Sequence, residues 1–554
     1  MPMNNSNLVD TVHDPSPGSP VHAGHSGLAA VARKAFSFPV MMGALLVGAA
    51  VFASRLNLPD PDMWWHAVVG QHILATHTLP TSDSYSFTAP GAPWMAYEWL
   101  GEVVMALATH FGFFRGLTAL LMVLGAIYMA LLYGYASLVS GNSKAALVAC
   151  ALFLPLLTVF FTPRPQLIGY IFLVITLICL ERYRQGKQKS LWIFPPLFLI
   201  WVNTHGSFVF GLTVFGIYWA SGLVDFEVGG VRAERWTPKQ SRHLAVVFLL
   251  CVLALTVSPY GTRPAAYPLQ MAFSQPLNIS RINEWQPLNV QYWQMKFLLI
   301  VIIVFWLSHI PLRQTYRLES VALLLLATYA CFVHRRFIPF LVLILAPLIA
   351  KMIARWAPKY RPEIDPYAVN AILIGLVAFG LVMGFPSQKK LDDIVAKRYP
   401  QKAVEYLSQH PQPGPMLNEY DWGGYLIWSP DFHHKVFADG RADFYEYAGV
   451  LSDYFDIVDV KPDALFLLRK YHIQFCLIQR NAPLATFLGA LPGWKKVYQD
   501  ELSAIFIQQA RQPLPSSSKM RVPDQGRERI TARNETAQSH GSRVTKTVGR
   551  RSGS

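Results

Sequence analysis

The residues that could do chemistry begin just past the first long apolar run, in the segment from Asp60 to Glu102. Asp60 and Asp62 lie a few residues beyond that run, and acids this close to lipid are costly unless they serve a function. The default interpretation of such acids is therefore a functional site. The structural alternative is that Asp60 and Asp62 cap a helix starting at Met63, because Asp is a favoured N-cap residue.

Aromatic and titratable residues follow directly. His66 lies four residues after Asp62, so the two would share a helix face, where His66 could orient the carboxylate or contact a phosphate. Trp64 and Trp65 suit a membrane interface, although one of them could stack on a sugar instead. A polar, turn-rich stretch then leads to Tyr97-Glu98-Trp99, which opens an amphipathic helix.

Hydropathy indicates which elements must position these residues. Only 15% of the 554 residues are charged, whereas a soluble protein carries roughly a quarter. Apolar runs near the roughly 20 residues that span a bilayer recur along the chain, so we predict a polytopic α-helical membrane protein with about 11 spans. The first run lacks a small-residue cleavage site and is expected to stay as an anchor. The predicted spans are 38–55, 116–139, 144–162, 165–182, 191–204, 207–225, 243–258, 296–311, 318–333, 337–354 and 367–386.

Loop charge predicts the orientation. The basic loops alternate with loops of other character, and basic loops face the cytoplasm. This alternation holds only if residues 97–112 do not span, so we predict that they form an interfacial helix within the first outer loop, 56–115. The other outward segments are 163–165, 205–206, 259–295, 334–336 and residues 388–508 after the last span.

Several outward residues break the usual pattern. Arg164, between two prolines, and Arg335 and Arg336 lie on the side that basic residues normally avoid. They could bind an anionic group such as a lipid phosphate through charge-assisted hydrogen bonds; the alternative is snorkelling to head groups. Asn203 and His205 form a polar notch between short apolar runs, which either lines a cavity or satisfies backbone groups.

Metal and nucleic-acid chemistry have weaker support. Glu98 and Glu284 fall in the outward set and could bind an acceptor or a divalent metal, but no ligand spacing demands a metal. The net charge of +15 comes largely from loops and from the tail after Gln508, so we do not expect nucleic-acid binding. The cysteines suggest neither a metal site nor a disulfide framework; they are Cys150, Cys179, Cys251, Cys331 and Cys476.

The chain divides into four parts. We predict a disordered tail over 1–35, a transmembrane domain over 36–386, a small extracytoplasmic α/β domain over 387–508, and a disordered basic tail over 509–554. The α/β prediction comes from short apolar stretches, such as Tyr425 to Trp428 and Phe475 to Ile478, that alternate with helical patterns. The tails lack the large apolar residues needed to bury a core.

This arrangement resembles the GT-C superfamily of membrane glycosyltransferases. Asp60-Pro61-Asp62 takes the place of the acid pair that follows the first span in lipid A aminoarabinose transferases and protein O-mannosyltransferases. Gly91-Ala92-Pro93-Trp94 and Glu98-Trp99-Leu100 take the place of their Pro-rich turn and Leu/Trp helix. Asn418-Glu419-Tyr420-Asp421-Trp422-Gly423-Gly424 with Phe437-Ala438-Asp439-Gly440-Arg441 is similar to the aromatic, Asp- and Gly-containing segment of oligosaccharyltransferase catalytic subunits.

The resemblance implies a GT-C-like fold and an enzyme that transfers a sugar from a polyprenyl-phosphate donor to an envelope acceptor, at the outer face of a bacterial inner membrane. It implies that a first-loop aspartate is the base, Asp62 first and Asp60 second. Candidate donor-phosphate ligands are Arg164, Arg336, Arg335 and His66, and candidate acceptor or cavity residues are Glu98, Trp65, His205, Glu284, Tyr420 and Asp439. Asp439, Arg441 and Asp443 suit a buried ion network better than a site.

Two other classes of function compete with this one. A transporter or flippase predicts charged residues at mid-membrane and repeated halves, and the sequence pattern indicates neither. A non-catalytic envelope scaffold would keep its function without Asp60 and Asp62. The expected partners are the lipid-linked donor, the envelope acceptor and membrane lipids, and the sequence does not predict the oligomeric state.

Overall fold

The computed structural model describes residues 25–312 and 314–509, and these form one compact unit. The tails expected to be disordered, 1–35 and 509–554, lie largely outside the described residues. Their described part includes His25–Ala35, which is a helix and not an irregular segment. The predicted boundary at 387 does not separate two compact units.

Helices make up most of the structure. The α-helices are His25–Ala35, Phe38–Ser54, Met63–Thr76, Trp99–Thr109, Phe113–Ser140, Ser143–Leu152, Leu154–Leu157, Pro165–Arg184, Phe194–Val202, Phe208–Ser221, Pro238–Ala254, Arg263–Ser274, Pro276–Arg281, Trp293–Leu307, His309–Leu312, Leu318–Val333, Ile338–Ile353, Tyr367–Met383, Gln388–Ala396, Gln401–Gln409, Gly423–Trp428, Ala442–Tyr447, Val450–Val458, Ala464–Lys470 and Pro483–Ala490. Short 3₁₀ helices are Thr158–Phe160, Gln188–Ile193, Asn283–Trp285, Arg335–Phe337, Pro362–Ile364 and Tyr420–Trp422.

Three helices are long and apolar enough to cross a membrane, or up to six spans if each of three bent helix pairs counts as one. Five shorter apolar helices are also present in the described residues, so the figure of about 11 spans stays a prediction. Trp99–Thr109 has 11 residues and a length of roughly 16 Å, about half of a bilayer core. It is too short to cross a bilayer alone, which agrees with the prediction that residues 97–112 do not span.

Phe113–Ser140 lies at the centre of the apolar bundle. It packs against Phe38–Ser54, Pro165–Arg184 and Ile338–Ile353. The last of these is buried along almost its entire length. Outer helices expose large apolar side chains such as Phe379, as expected of helices that face lipid.

Strands form two small sheets. The sheet of the C-terminal region has the order Met416–Asn418, Phe475–Gln479, Ser503–Gln508, Trp494–Gln499, with the first pair parallel and the others antiparallel. This agrees with the α/β prediction, although Tyr425 to Trp428 belongs to a helix. A second sheet of Phe226–Val228, Val231–Ala233 and Tyr316–Arg317 was not predicted.

The C-terminal region shares its cores with the first outer loop. One core combines Trp65, Val69 and Trp94 with residues of the C-terminal sheet and its helices. A second core combines Met63 and Trp64 with another set of C-terminal residues. The start of the helix Met63–Thr76 is therefore held between the membrane helices and the C-terminal region.

Candidate active site

The first-loop aspartates lie at the start of the helix Met63–Thr76. Asp62 occupies the N-cap position, but its side chain makes no capping hydrogen bond. Asp60 Oδ1 accepts a hydrogen bond from the Asp62 backbone N–H at 3.0 Å, and Asp62 Oδ1 accepts one from Trp65 Nε1 at 3.2 Å. The Asp62 carboxylate therefore does not cap the helix and contacts other groups instead.

A single guanidinium contacts three carboxylates. Arg164 donates hydrogen bonds from Nε to Asp60 and from Nη1 to Glu284 Oε1 at 2.6 Å, and its Nη1 forms an ion pair with Asp62 Oδ2 at 3.0 Å. Pro165 begins the next helix and fixes the turn from which Arg164 extends. Arg164 was expected to bind a donor phosphate. In the structure its Nε and Nη1 groups contact carboxylates instead.

These carboxyl groups differ in protonation. Burial raises the pKa of Asp62 to about 7, although the charge of Arg164 opposes this and that of Asp60 adds to it. Burial also acts to raise the pKa of Glu284, but the charges of Arg164 and Arg336 outweigh it and lower the pKa overall. Of Asp62 and Glu284, Asp62 is therefore the one whose pKa lies near neutrality, where a general base works best; burial also raises the pKa of Glu419, at another part of the cavity lining, to about 7.

A cavity of about 980 Å³ opens in front of these groups. It brings together seven of the residues selected from the sequence, namely Asp60, Asp62, Arg164, Glu284, Arg335, Arg336 and Tyr420. Glu419 and Asp421, which belong to the segment similar to oligosaccharyltransferases, also line it. The basic residues Arg281, Lys397 and Arg398 line it as well, and no sequence pattern indicated them.

The cavity has an apolar side as well as a charged side. Its apolar lining includes Pro155, Val159, Phe160, Met295 and Ile338, which come from the ends of the apolar helices. An elongated apolar group beside a compact charged group would fit such a space.

Arg335 and Arg336 add cationic charge to the cavity without forming a close ion pair. Among the residues that the structure describes, neither guanidinium is paired with a carboxylate. The Arg336 guanidinium lies 4.1 Å from the centre of the Trp285 ring, which holds it by a cation–π contact. These two arginines are the cavity groups best placed to receive an anion.

A second cluster lies behind the cavity wall. His66 Nδ1 is 3.1 Å from Glu102 Oε1, and His66 Nε2 is 3.7 Å from Glu98 Oε2. His205 Nε2 faces Glu98 Oε1 at 3.5 Å. None of these side chains is among those that line the cavity, so the geometry departs from the expected contact of His66 with a phosphate and from the expected cavity positions of Glu98 and His205.

Burial disfavours the charged forms of the groups in this cluster. It raises the pKa of Glu98 to about 8 and the pKa of Glu102 well above its usual value, while it lowers the pKa of His66. His205 Nδ1 accepts the Ser207 backbone N–H at 3.0 Å, so a neutral His205 carries its proton on Nε2 and directs it at Glu98. Glu102 was noted in the sequence only as a helix charge; its spacing from Glu98, one helical turn, could have indicated the pair.

Asn203 joins the polar notch to the first loop. Its side chain accepts from Trp99 Nε1 at 2.9 Å and donates to backbone carbonyls of Leu199 and Val257. Of the two interpretations left open for Asn203, satisfying backbone groups is the one this geometry matches.

The two tryptophans are buried within the protein. Trp64 is completely buried and packs against Tyr399, Tyr425 and Trp428 of the C-terminal region. Trp65 is also buried and does not line the cavity. Their side chains contact protein and not lipid because the C-terminal region, distant in sequence, covers this helix start.

Asp439 belongs to a buried ion cluster. It accepts from Arg441 Nε at 2.8 Å and Nη2 at 2.7 Å, and Arg441 also contacts Asp83 at 2.8 Å. Asp439 is fully buried and is not a lining residue, so it does not occupy the expected cavity position. Asp439 and Arg441 form an ion pair as the sequence favoured, Asp83 joins them, and no ion pair of Asp443 is found among the described residues.

Metal binding was left open by the sequence. Within residues 25–312 and 314–509, no group of three or more His, Cys, Asp or Glu side chains is arranged to hold a metal ion. Asp60, Asp62 and Glu284 come closest in position, and their oxygens are engaged by Arg164.

Comparison with known proteins found similarity only among solved structures. No family model matches the chain, and no curated protein matches it. The Archaeoglobus fulgidus oligosaccharyltransferase in its apo form aligns with a TM-score of 0.45 and 12% identity, covering 79% of this chain and 69% of that chain. The oligosaccharyltransferase AglB of that organism, in complex with an inhibitory peptide and a dolichol-phosphate, gives 0.45 and 11%, covering 85% and 75%.

ArnT from Cupriavidus metallidurans, bound to undecaprenyl phosphate, aligns with a TM-score of 0.44 and 12% identity, covering 88% of this chain and 100% of that chain. The chain is therefore similar to oligosaccharyltransferases, a class that the sequence resemblance named. Because these TM-scores and identities are low, the function is argued below from this chain's own side chains.

Proposed function

We propose that this protein is a membrane glycosyltransferase that transfers a sugar from a polyprenyl-phosphate donor to an envelope acceptor, which is a glycan, a lipid or a protein. The reaction would take place at the outer face of a bacterial inner membrane. The observation that carries the proposal is the cavity in which Asp62, Arg335 and Arg336 meet beside an apolar wall.

The shape and chemistry of the cavity suit such a donor. Arg335 and Arg336 would bind the phosphate through charge-assisted hydrogen bonds, because their charges are not used by protein carboxylates among the described residues. The apolar lining around Phe160 and Met295 would accept the first part of the polyprenyl chain. Arg164 would instead hold Asp60, Asp62 and Glu284 in place.

The transfer needs one base and one anion site. Asp62 would take the proton from the acceptor hydroxyl or amine as that atom attacks the anomeric carbon of the sugar. The bond between that carbon and the phosphate oxygen breaks, and the polyprenyl phosphate leaves with its electron pair, stabilised by Arg335 and Arg336. A pKa of about 7 for Asp62 suits this role near neutral pH.

The full chain in lipid nanodiscs allows two linked measurements. We expect undecaprenyl phosphate to bind the wild type, and we expect Arg336→Ala to weaken that binding at least tenfold. A panel of polyprenyl-phosphate sugars, incubated with a bacterial envelope extract as the source of acceptor, should yield free polyprenyl phosphate, detected by mass spectrometry. We expect Asp62→Asn to lower this release by a factor of 10² or more, the range that general-base catalysis supplies, while binding of undecaprenyl phosphate is kept.

Arg263→Ala is the matched control, because Arg263 is an exposed arginine of another segment predicted to face outward and does not line the cavity. It should leave both measurements unchanged. Failure of the wild type to bind undecaprenyl phosphate, or full release by Asp62→Asn, would contradict the proposal.

A further inference from the structure

Both oxygens of the Asp62 carboxylate are occupied by protein donors. Arg164 Nη1 lies 3.0 Å from Oδ2, and Trp65 Nε1 donates to Oδ1 at 3.2 Å. The two donors approach from different elements, one from the turn before Pro165–Arg184 and one from the first turn of Met63–Thr76. Together they fix the rotation of the carboxylate, so that only its remaining lone pairs can receive a proton.

Trp65 is itself fixed by packing. Its indole ring lies 3.6 Å from the His66 ring, centre to centre, and meets Trp94 edge-on at 6.4 Å. It is only 7% exposed. A buried aromatic ring with one polar atom normally directs that atom at a partner, and here the partner is the Asp62 carboxylate.

The C-terminal region closes over this hydrogen bond at Gly440. A Cβ atom at this position would lie 2.0 Å from Asp62 Oδ1 and 2.8 Å from Trp65 Nε1, so any side chain here would displace one partner. The backbone on both sides is held, because Asp439 and Arg441 form the buried ion cluster and Asn418 Nδ2 donates to the Ala438 carbonyl at 2.8 Å. Glycine is required here by close approach.

We propose that Trp65 and Gly440 are positioning residues for Asp62: the indole N–H holds one carboxylate oxygen, and Gly440 leaves room for that hydrogen bond beneath the C-terminal region. This inference rests on the proposed function, in which Asp62 accepts the acceptor's proton. The C-terminal region would then contribute to the reaction, because its backbone at Gly440 lies directly against the Asp62 carboxylate and the Trp65 indole.

Several other ionisable groups interact electrostatically with Asp62. Asp60, Glu284 and Arg164 act on Asp62, and the charge of Asp62 in turn acts on Glu98, Tyr399 and Tyr420. The hydrogen bond from Trp65 lowers the Asp62 pKa because it favours the ionised form. Loss of this bond should therefore raise the pH at which Asp62 ionises.

The experiment labels the full chain in nanodiscs with a carbodiimide, which reacts with protonated carboxyl groups, over a range of pH. Peptide mass spectrometry measures the modification at Asp62, and Asp62→Asn identifies the modified peptide. For the wild type we expect labelling to decline as pH rises through about 7. For Trp65→Phe we expect the midpoint to move upward by roughly one pH unit, the size of one hydrogen bond to a charged group.

Gly440→Ala gives a second, independent variant and should also raise the midpoint. Trp192→Phe and Gly489→Ala are matched controls, since Trp192 is an exposed tryptophan outside this site and a Cβ at Gly489 would have no neighbour closer than 3.9 Å. Their labelling curves should match the wild type. Thermal unfolding verifies that each variant is folded.

The labelling needs no substrate, which separates this inference from the proposed function. If neither Trp65→Phe nor Gly440→Ala raises the midpoint, or if Asp62 is not labelled in any folded variant, the positioning role is wrong. If the midpoints move but Asp62→Asn still releases polyprenyl phosphate, the proposed function is wrong and the contact is only structural. The corresponding kinetic expectation concerns the pH profile of kcat/KM. On its acid side, the midpoint pH should be higher for Trp65→Phe than for the wild type.

Discussion

Arg164 forms ion pairs with three carboxylates that would otherwise repel one another. We predict that Arg164→Gln lowers the free energy of unfolding by about 3–5 kcal/mol, the cost of leaving buried charges unpaired. The loss should be larger at pH 8 than at pH 5, because Asp62, with a pKa of about 7, is ionised at the higher pH. Thermal or denaturant unfolding of the full chain at both pH values measures it.

Arg281→Gln provides the comparison for that variant. Arg281 pairs with Asp459, but both side chains are more than one-third exposed, and exposed pairs contribute about 0–1 kcal/mol. An equal loss from the two variants would show that Arg164 is not the centre of a buried network.

Glu98 carries a second prediction at the same scale. Its pKa is raised from 4.5 to about 8 by burial, so its protonated form stabilises the folded state. That stabilisation is fully present below pH 4.5 and is lost as pH rises through 8. Glu98→Gln keeps the uncharged shape, and we expect it to unfold at a higher temperature than the wild type at pH 9 and at a similar temperature at pH 5.

The size of this effect has an upper limit of several kcal/mol, since one pKa unit corresponds to about 1.4 kcal/mol. Glu405→Gln, on a helix of the C-terminal region and exposed, should show no such pH dependence. A Glu98→Gln variant that is less stable than the wild type at pH 9 would mean that Glu98 is ionised in the folded protein.

The side chains that meet at the cavity were predictable only in part. Arg335 and Arg336 stood out because basic residues on the outward side oppose the usual charge distribution, and Asp62 stood out because of its distance from the first apolar run. The contacts of Arg164 with Glu284 and of Trp64 with Trp428 depend on packing between segments far apart in sequence. No local pattern contains that information.

At the scale of elements, two first-loop helices cross in close contact. A Cβ at Gly70 would lie 2.0 Å from the Glu102 carbonyl oxygen, so only glycine allows Met63–Thr76 and Trp99–Thr109 to approach this closely. We predict that Gly70→Ala separates the helices, moves Glu98 and Glu102 away from His66, and destabilises the fold by about 1–3 kcal/mol, as overpacking does. Thermal unfolding of the full chain measures the change.

Gly134→Ala is the matched substitution, because Gly134 also lies within a helix and has no atom within 4 Å of the added Cβ. It should be neutral or stabilise by about 0.5–1 kcal/mol, since Gly is a poor helix former. Equal destabilisation by both variants would mean that close contact between the helices at Gly70 is not the cause of the effect.

Element type was easier to predict than element role. The apolar runs predicted helices near their observed positions, and residues 97–112 were expected to form a helix that does not cross the membrane, which agrees with the short Trp99–Thr109. The helix at Gly423–Trp428 was missed because its apolar residues are too few to show a helical period. The hairpin of Phe226–Val228 and Val231–Ala233 turns at Gly229-Gly230, a local signal that was overlooked, whereas the pairing of Val231–Ala233 with Tyr316–Arg317 is long-range and leaves no local signal.

At the scale of the whole molecule, the first loop and the C-terminal region form common cores. Trp64 contacts Tyr399, Tyr425 and Trp428, and Trp65 lies in the core that contains the C-terminal strands. We therefore predict that residues 387–509 alone do not fold cooperatively, although they contain a complete four-stranded sheet. Near-ultraviolet circular dichroism and thermal unfolding of that fragment measure fixed packing and cooperativity.

Within the full chain, Trp64→Ala should test the same dependence without truncation. Removing a fully buried tryptophan costs about 3–5 kcal/mol through lost contacts and the cavity left behind, and here it should loosen the C-terminal region first. Limited proteolysis should then cut within 387–509 before the membrane helices. Trp192→Ala, a substitution at an exposed tryptophan, should leave the cleavage pattern unchanged. Two results together would contradict the shared core: cooperative unfolding of the isolated 387–509 fragment, and resistance of the Trp64→Ala chain to proteolysis. They would also contradict the proposal that the C-terminal region helps to hold Asp62.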